Sequence, residues 1–178
     1  MRRSEFEHAI RAVGSILGTN DVLVIGSQAL HASVSEDLPE AAQRSVEVDV
    51  AAFDDRDGSR ADLIDGSIGE ASMFHESYGY YVRGVTEATA VLPPDWRDRL
   101  IPFETPATGG VIAHCLEPHD LWIAKAIANR PKDVEFCEAL LTRAIVEPAT
   151  LRSRLSTMRD LDERIRQIVR GRIDRAQA

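Results

Sequence analysis

No stretch of this sequence approaches the roughly 20 consecutive apolar residues that span a bilayer, so no transmembrane helix is expected. The N-terminal residues Met1-Arg2-Arg3-Ser4-Glu5 begin basic, but the apolar segment of a signal peptide does not follow, and a cytoplasmic location is expected. Cysteine is scarce. Cys115 and Cys137 are the only two, stand in apolar surroundings and match no metal spacing such as C-x-x-C, which predicts buried, reduced thiols. An excess of positive charge is also missing: 21 Lys and Arg stand against 29 Asp and Glu, a net charge of -8. Gripping nucleic acid over a whole surface needs clustered cations, so that function is disfavoured. The charge is uneven, however. Acidic residues crowd Glu36 to Asp65, whereas Arg152, Arg154, Arg159, Arg164, Arg166, Arg170, Arg172 and Arg175 fill the C-terminal stretch and mark a candidate basic face. The heptad-spaced Arg152, Arg159 and Arg166 are expected to form a solvated face in preference to an RNA contact.

What is present describes one domain. The 178 residues, with 44% hydrophobic and 28% charged side chains, suffice to bury a real core. Phe6, Ile10, Val13 and Leu17 recur at helical spacing, and Gly18 is placed to end that helix. Val22-Leu23-Val24-Ile25 reads as a buried strand, Gly26-Ser27 as a turn, and Gln28 to Val34 as a short helix. An acidic loop from Ser35 to Gln43 leads into Ser45 to Val50, where polar and apolar residues alternate as in a half-buried strand. A helix and loop over 58–68, then one or two strands beginning with Tyr80, Tyr81 and Val82, and a strand over 111–115 follow. Helices are expected over Glu117 to Asn129, from Pro131, from Pro148 and from Asp160. The order predicts an α+β fold: a small mixed sheet flanked by helices over 1–145, with a helical C-terminal extension over 146–178 packed on it.

Three segments carry candidate chemistry. The strand-Gly26-Ser27-helix turn places backbone N–H groups and a hydroxyl where phosphate is readily held, although such a turn alone is a weak signal. In Ser45-Val46-Glu47-Val48-Asp49-Val50, alternation puts Glu47 and Asp49 on one face and predicts that Val46, Val48 and Val50 point into the core. Two such carboxylates repel unless a cation lies between them, and a hard ion such as Mg²⁺ suits them. The third segment is the apolar helix around Lys125, followed by Arg130, Lys132 and Asp133 at the break made by Pro131. A lysine among Ile123, Ala124, Ala126 and Ile127 must reach solvent or meet anions. His75 reads as a structural histidine, with orienting a carboxylate or a substrate hydroxyl as the rival role. Trp96 and Arg99 read as pinning the Pro93-Pro94-Asp95 loop to the core, with base stacking or phosphate pairing as the rival role.

Strand-Gly-Ser, a carboxylate pair on the next strand and Lys-x-x-Ala-x-Arg-x-Lys-Asp together resemble the nucleotidyltransferase superfamily that includes DNA polymerase β. More narrowly, the chain is similar to the AbiEii-like and MenT-like toxins of bacterial toxin–antitoxin systems, and to a neighbouring bacterial family of nucleotidyltransferases of unknown substrate. The similarity spans roughly Val22 to Leu141. The phrases Ser72-Met73-Phe74-His75-Glu76, Gly79-Tyr80-Tyr81-Val82 and Leu92-Pro93-Pro94-Asp95-Trp96-Arg97-Asp98-Arg99-Leu100 resemble that last family in particular.

The resemblance implies that Gly26 and Ser27 hold the triphosphate, that Glu47 and Asp49 ligate Mg²⁺, and that Lys125, Arg130 and Asp133 complete the nucleotide site. The first carboxylate is usually Asp; here it is Glu47, whose extra methylene moves the ligand oxygens by roughly a bond length. Glu70, Glu104 and Glu117 are the candidates for an additional acid. The implied activity is Mg²⁺-dependent transfer of a nucleoside monophosphate from an NTP to a hydroxyl of tRNA or protein, with a toxin or defence role and a cognate antitoxin as partner. The alternative is a nucleotide-binding or partner-binding module with little turnover on the same fold.

Overall fold

The computed structural model describes residues 1–35 and 37–175. Glu36, at the head of the acidic stretch, and residues 176–178 of the expected extension lie outside the described residues. Helix α1 spans Arg3–Leu17 and buries Phe6, Ala9, Ile10 and Val13 on one stripe. Gly18 ends it in the left-handed conformation at φ +62, which costs glycine no steric penalty.

Five strands form one mixed sheet: β1 (Asp21–Val24), β2 (Glu47–Ala51), β3 (Tyr81–Gly84), β4 (Ile101–Phe103) and β5 (Ile112–Cys115), in the order β3-β2-β1-β5-β4. β1 lies at the centre, which suits a strand whose Val22, Leu23 and Val24 are all buried. It pairs antiparallel with β2 and parallel with β5, while β3 runs parallel to β2 and β4 antiparallel to β5. Between the strands lie α2 (Glu40–Gln43), α3 (Ser59–Ile68) and α4 (Met73–Tyr78). Helix α3 packs closely on β3; a Cβ on Gly84 would stand 2.0 Å from the Ala61 carbonyl oxygen.

The C-terminal half is helical: α5 (Pro118–Ala128), α6 (Pro131–Thr142), α7 (Pro148–Thr157) and α8 (Glu163–Arg175). Trp122 is fully buried, and its indole donates to the Cys137 carbonyl at 3.0 Å, locking α5 to α6. Helices α7 and α8 both contact α5, and Leu151, Leu155, Met158, Val169 and Ile173 belong to the same apolar core as the sheet. Cys115 and Cys137 are buried and free; burial pushes the Cys137 thiol up to about 12, so it stays protonated.

The α+β architecture agrees with the reading of the sequence, and several local expectations do not. Val46 precedes β2 and is 48% exposed, so the inward alternation starts only at Val48. The loop over 35–43 ends in the short helix α2, and the turn after Gly26 opens a six-residue 3-10 helix, Ser27–Ala32. Helix α8 starts at Glu163, behind Asp162, whose carboxylate accepts the Arg164 and Ile165 N–H groups. Arg166 is no part of a solvated face: it donates to the carbonyls of Leu155, Met158 and Leu161, tying the α7–α8 junction together. No helix among the described residues is long and apolar enough to cross a membrane.

Candidate active site

Strand β2 carries Glu47 and Asp49 on one face while Val48 and Val50 are buried on the other. Asp49 packs directly against Gly26. A Cβ at that position would lie 2.3 Å from its Oδ2, so the turn residue must be glycine for this carboxylate to sit where it does. The Ile25 N–H donates to the Asp49 carbonyl at 3.1 Å, fixing the end of β1 beside it.

Across the cleft, α5 ends at Asn129 in the left-handed conformation, and Pro131 starts α6 two residues later. This sharp junction gathers Lys125, Arg130 and Asp133. Asp133 is buried and accepts the Arg130 Nε at 2.6 Å and Nη2 at 3.2 Å, with the Lys125 Nζ at 3.7 Å. It also accepts the Arg130 backbone N–H at 3.2 Å, capping α6. One carboxylate therefore positions two cations, and Lys125 retains only 15% of its side-chain exposure.

The two sides enclose a cleft of about 270 Å³ lined by Glu47, Asp49, Arg83, Lys125 and Arg130, with Ile25, Val85, Val91 and Ile127 forming apolar wall. Burial, and then the charge of Glu47, push the Asp49 carboxyl above its ordinary value. Burial acts on Glu47 in the same direction. It is outweighed by hydrogen bonds from Tyr81 and Asp49 and by the charges of Lys132 and Arg83, which hold Glu47 low. Two carboxyls this close favour either a proton held between them or a cation bound by both. That donor set fits a hard divalent ion held by two carboxylates with its other positions left for phosphate oxygens. Among the described residues, no group of three or more His, Cys, Asp and Glu side chains could hold a metal.

A family described as nucleotidyltransferase of unknown function, DUF6036, matches residues 4–168. The chain belongs to this nucleotidyltransferase family. No curated protein and no solved structure matches it.

Within this nucleotidyltransferase, Glu47, Asp49, Lys125 and Arg130 line one cleft although they come from both halves of the sequence, with Gly26 packed against Asp49 and Asp133 bound to the two cations. Ser27 stands apart: it is absent from the cleft lining, and its Oγ accepts a long hydrogen bond of 3.4 Å from Gln28. Glu104 follows β4, at the opposite edge of the sheet from β3, and Glu117 caps α5, paired with Arg154 and His119. Glu70 alone approaches, lining with Glu47, Asp65, Tyr81 and Arg83 a depression of about 350 Å³. Arg99 is bound to Asp120 at 2.8 Å and donates to the Pro94 carbonyl at 2.8 Å, and Trp96 packs on the core, so both pin this loop to the fold. His75 accepts the Ala71 N–H at 3.1 Å and contacts the Tyr81 ring, a structural histidine.

Two lining residues escaped the sequence reading. Tyr81 donates to Glu47 Oε2 at 2.8 Å, and Arg83 lies 3.9 Å from Glu47 Oε1. Their spacing of two along β3 was the available signal, but only the register of β3 on β2 turns it into proximity.

Proposed function

We propose that this chain transfers a nucleoside monophosphate from an NTP to a hydroxyl group, with Mg²⁺ held by Glu47 and Asp49. The observation that carries this reading is the meeting of the acid pair Glu47 and Asp49 and the cations Lys125 and Arg130 in one cleft. The ion supplies charge neutralisation at the phosphate oxygens. Lys125 and Arg130 bind the non-bridging oxygens as the acceptor oxygen bonds to the α-phosphorus and the bond to the β-phosphate breaks. Pyrophosphate and the hydroxyl proton leave to solvent. Asp133 keeps both cations at the cleft, and Gly26 leaves room for the Asp49 carboxylate that would hold the ion. The apolar wall of Ile25, Val85 and Val91 suits the face of a nucleoside.

A protein hydroxyl fits as acceptor better than tRNA. Arg152, Arg154 and Arg166 are engaged within the fold, the depression beside Glu47 is lined by Asp65 and Glu70, and the chain carries a net charge of -8. The resemblance to AbiEii-like and MenT-like toxins further supports a place in a toxin–antitoxin pair, with growth arrest on expression of this chain relieved by Asp49→Ala.

Incubation with Mg²⁺, cell protein, total tRNA and NTP labelled at either the α- or the γ-phosphate tests the reaction. Label from the α-position, and not the γ-position, is expected on protein. Label on tRNA would overturn the choice of acceptor, and labelling no greater than that of Asp49→Ala would overturn the transferase reading.

A further inference from the structure

Strand β3 delivers two polar side chains to the acid pair. Its register on β2 places Tyr81 beside Glu47 and Arg83 beside Asp49, and residues so registered share a face. Tyr81 holds Glu47 Oε2 at 2.8 Å and thereby fixes the longer acid. Arg83 is held more loosely, 3.9 Å from Glu47 Oε1, with about half of its side chain exposed. It lines both the 270 Å³ cleft and the adjoining 350 Å³ depression. Lys125 and Arg130 differ from it, for both are tied to the buried Asp133.

A guanidinium keeps its charge at any ordinary pH and presents a planar fork of donors that matches phosphate oxygens. Arg83 therefore puts a permanent positive charge at the strand position next to Asp49. A second divalent ion in that space would meet this charge, and among the described residues no further carboxylate joins Glu47 and Asp49 in a metal-holding group.

We infer that the centre takes a single divalent cation, held by Glu47 and Asp49, and that Arg83 provides the second positive charge on the reacting phosphates. The inference rests on the transferase reading above and extends it to a residue that reading does not use. Tyr81 is then a positioning residue for Glu47, and Arg83 a phosphate-binding one.

Equilibrium dialysis against Mn²⁺ in the presence of a nonhydrolysable NTP, with bound ion counted by electron paramagnetic resonance, tests this. The native chain is expected to bind one Mn²⁺, and Arg83→Glu, which adds a third carboxylate beside Asp49, is expected to bind two. Arg83→Gln, at a half-exposed position that tolerates the change, is expected to keep one Mn²⁺ and to bind the nucleotide about tenfold more weakly. Two Mn²⁺ in the native chain, or unchanged nucleotide affinity in Arg83→Gln, would overturn the inference and leave the transferase reading standing. No Mn²⁺ above the level of Asp49→Ala would overturn the transferase reading itself.

Discussion

At the N-terminal end of α5, Asp120 is fully buried and meets a guanidinium on each side, Arg99 at 2.8 Å and Arg154 at 2.8 Å. Glu117 joins the same network, accepting from Arg154 and from His119 Nδ1, while His119 Nε2 accepts the Glu147 N–H at 2.9 Å. At the other end of the helix, Asp133 takes up Lys125 and Arg130, while Glu47 and Asp49 share the cleft with these cations, Glu47 being held by Tyr81, by the looser Arg83 and by the charge of Lys132. Two acids and two guanidinium groups close the first cluster. The second sets two acids side by side in an open cleft, and a carboxyl raised there by burial and a like charge marks a candidate functional site.

This contrast is open to direct attack. The largest effects should separate activity from stability. Asp49→Ala is expected to lower nucleotidyl transfer on the order of a hundredfold or more while leaving the melting temperature unchanged or higher. Asp120→Ala should destabilise the fold by about 3–5 kcal/mol, because it removes the buried carboxylate that joins Arg99 to Arg154 and leaves Arg154 with Glu117 alone. Thermal melts beside transfer assays decide the matter, and a large loss of stability in Asp49→Ala would break the distinction.

Gly26→Ala comes next. Its methyl group must displace the Asp49 carboxylate, and a misplacement of about 1 Å is expected to cost roughly a hundredfold in rate with little change in fold. Metal-dependent transfer at the native rate would show that the contact is unimportant.

The two clusters should also respond oppositely to pH. Burial alone would raise Glu117, but the hydrogen bonds from His119 and Arg154 hold it at about 2. A carboxylate depressed in the fold contributes stability above its ordinary value near 4.5 and loses it as pH falls towards 2. Glu117→Gln should therefore remove ~2 kcal/mol of stability at neutral pH and flatten the acid limb of a denaturation profile. Asp49 is raised by burial and by Glu47, so its contribution is present at low pH and lost as pH rises through its folded value. Asp49→Asn should accordingly stabilise the chain at neutral pH, and a lower melting temperature there would contradict the assignment.

The smallest expected effect concerns the C-terminal arginines. Arg166→Ala should cost about 1–3 kcal/mol through three lost carbonyl contacts, whereas Arg159→Ala, at an exposed position, should stay within about 0.5 kcal/mol. Equal denaturant midpoints for the two variants would remove Arg166 from the structural side of the account.

The elements read correctly from sequence are those set by neighbouring residues. The stripe of α1, the apolar run of β1, the same-face pair Glu47 and Asp49, and the Pro131 start of α6 all follow from short-range periodicity and backbone chemistry. β4 was invisible because it is three residues long with Pro102 at its middle, a composition tolerated only at a sheet edge. Arg166 misled because its acceptors are backbone carbonyls five to eleven residues back, which no side-chain pattern announces. Tyr81 and Arg83 were missed because strand register is a long-range property. Lys125 and Asp133 were legible as a motif, but their convergence with β2 depended on how the helices pack on the sheet.

The central claim is that β2 and the α5–α6 junction form one metal-dependent triphosphate site. Calorimetric titration of a nonhydrolysable NTP into the native chain and into Asp49→Asn, each with and without Mg²⁺, tests it most directly. The account predicts tight binding only for the native chain with Mg²⁺. Equal affinity in all four titrations would contradict it and favour a metal-independent nucleotide-binding module.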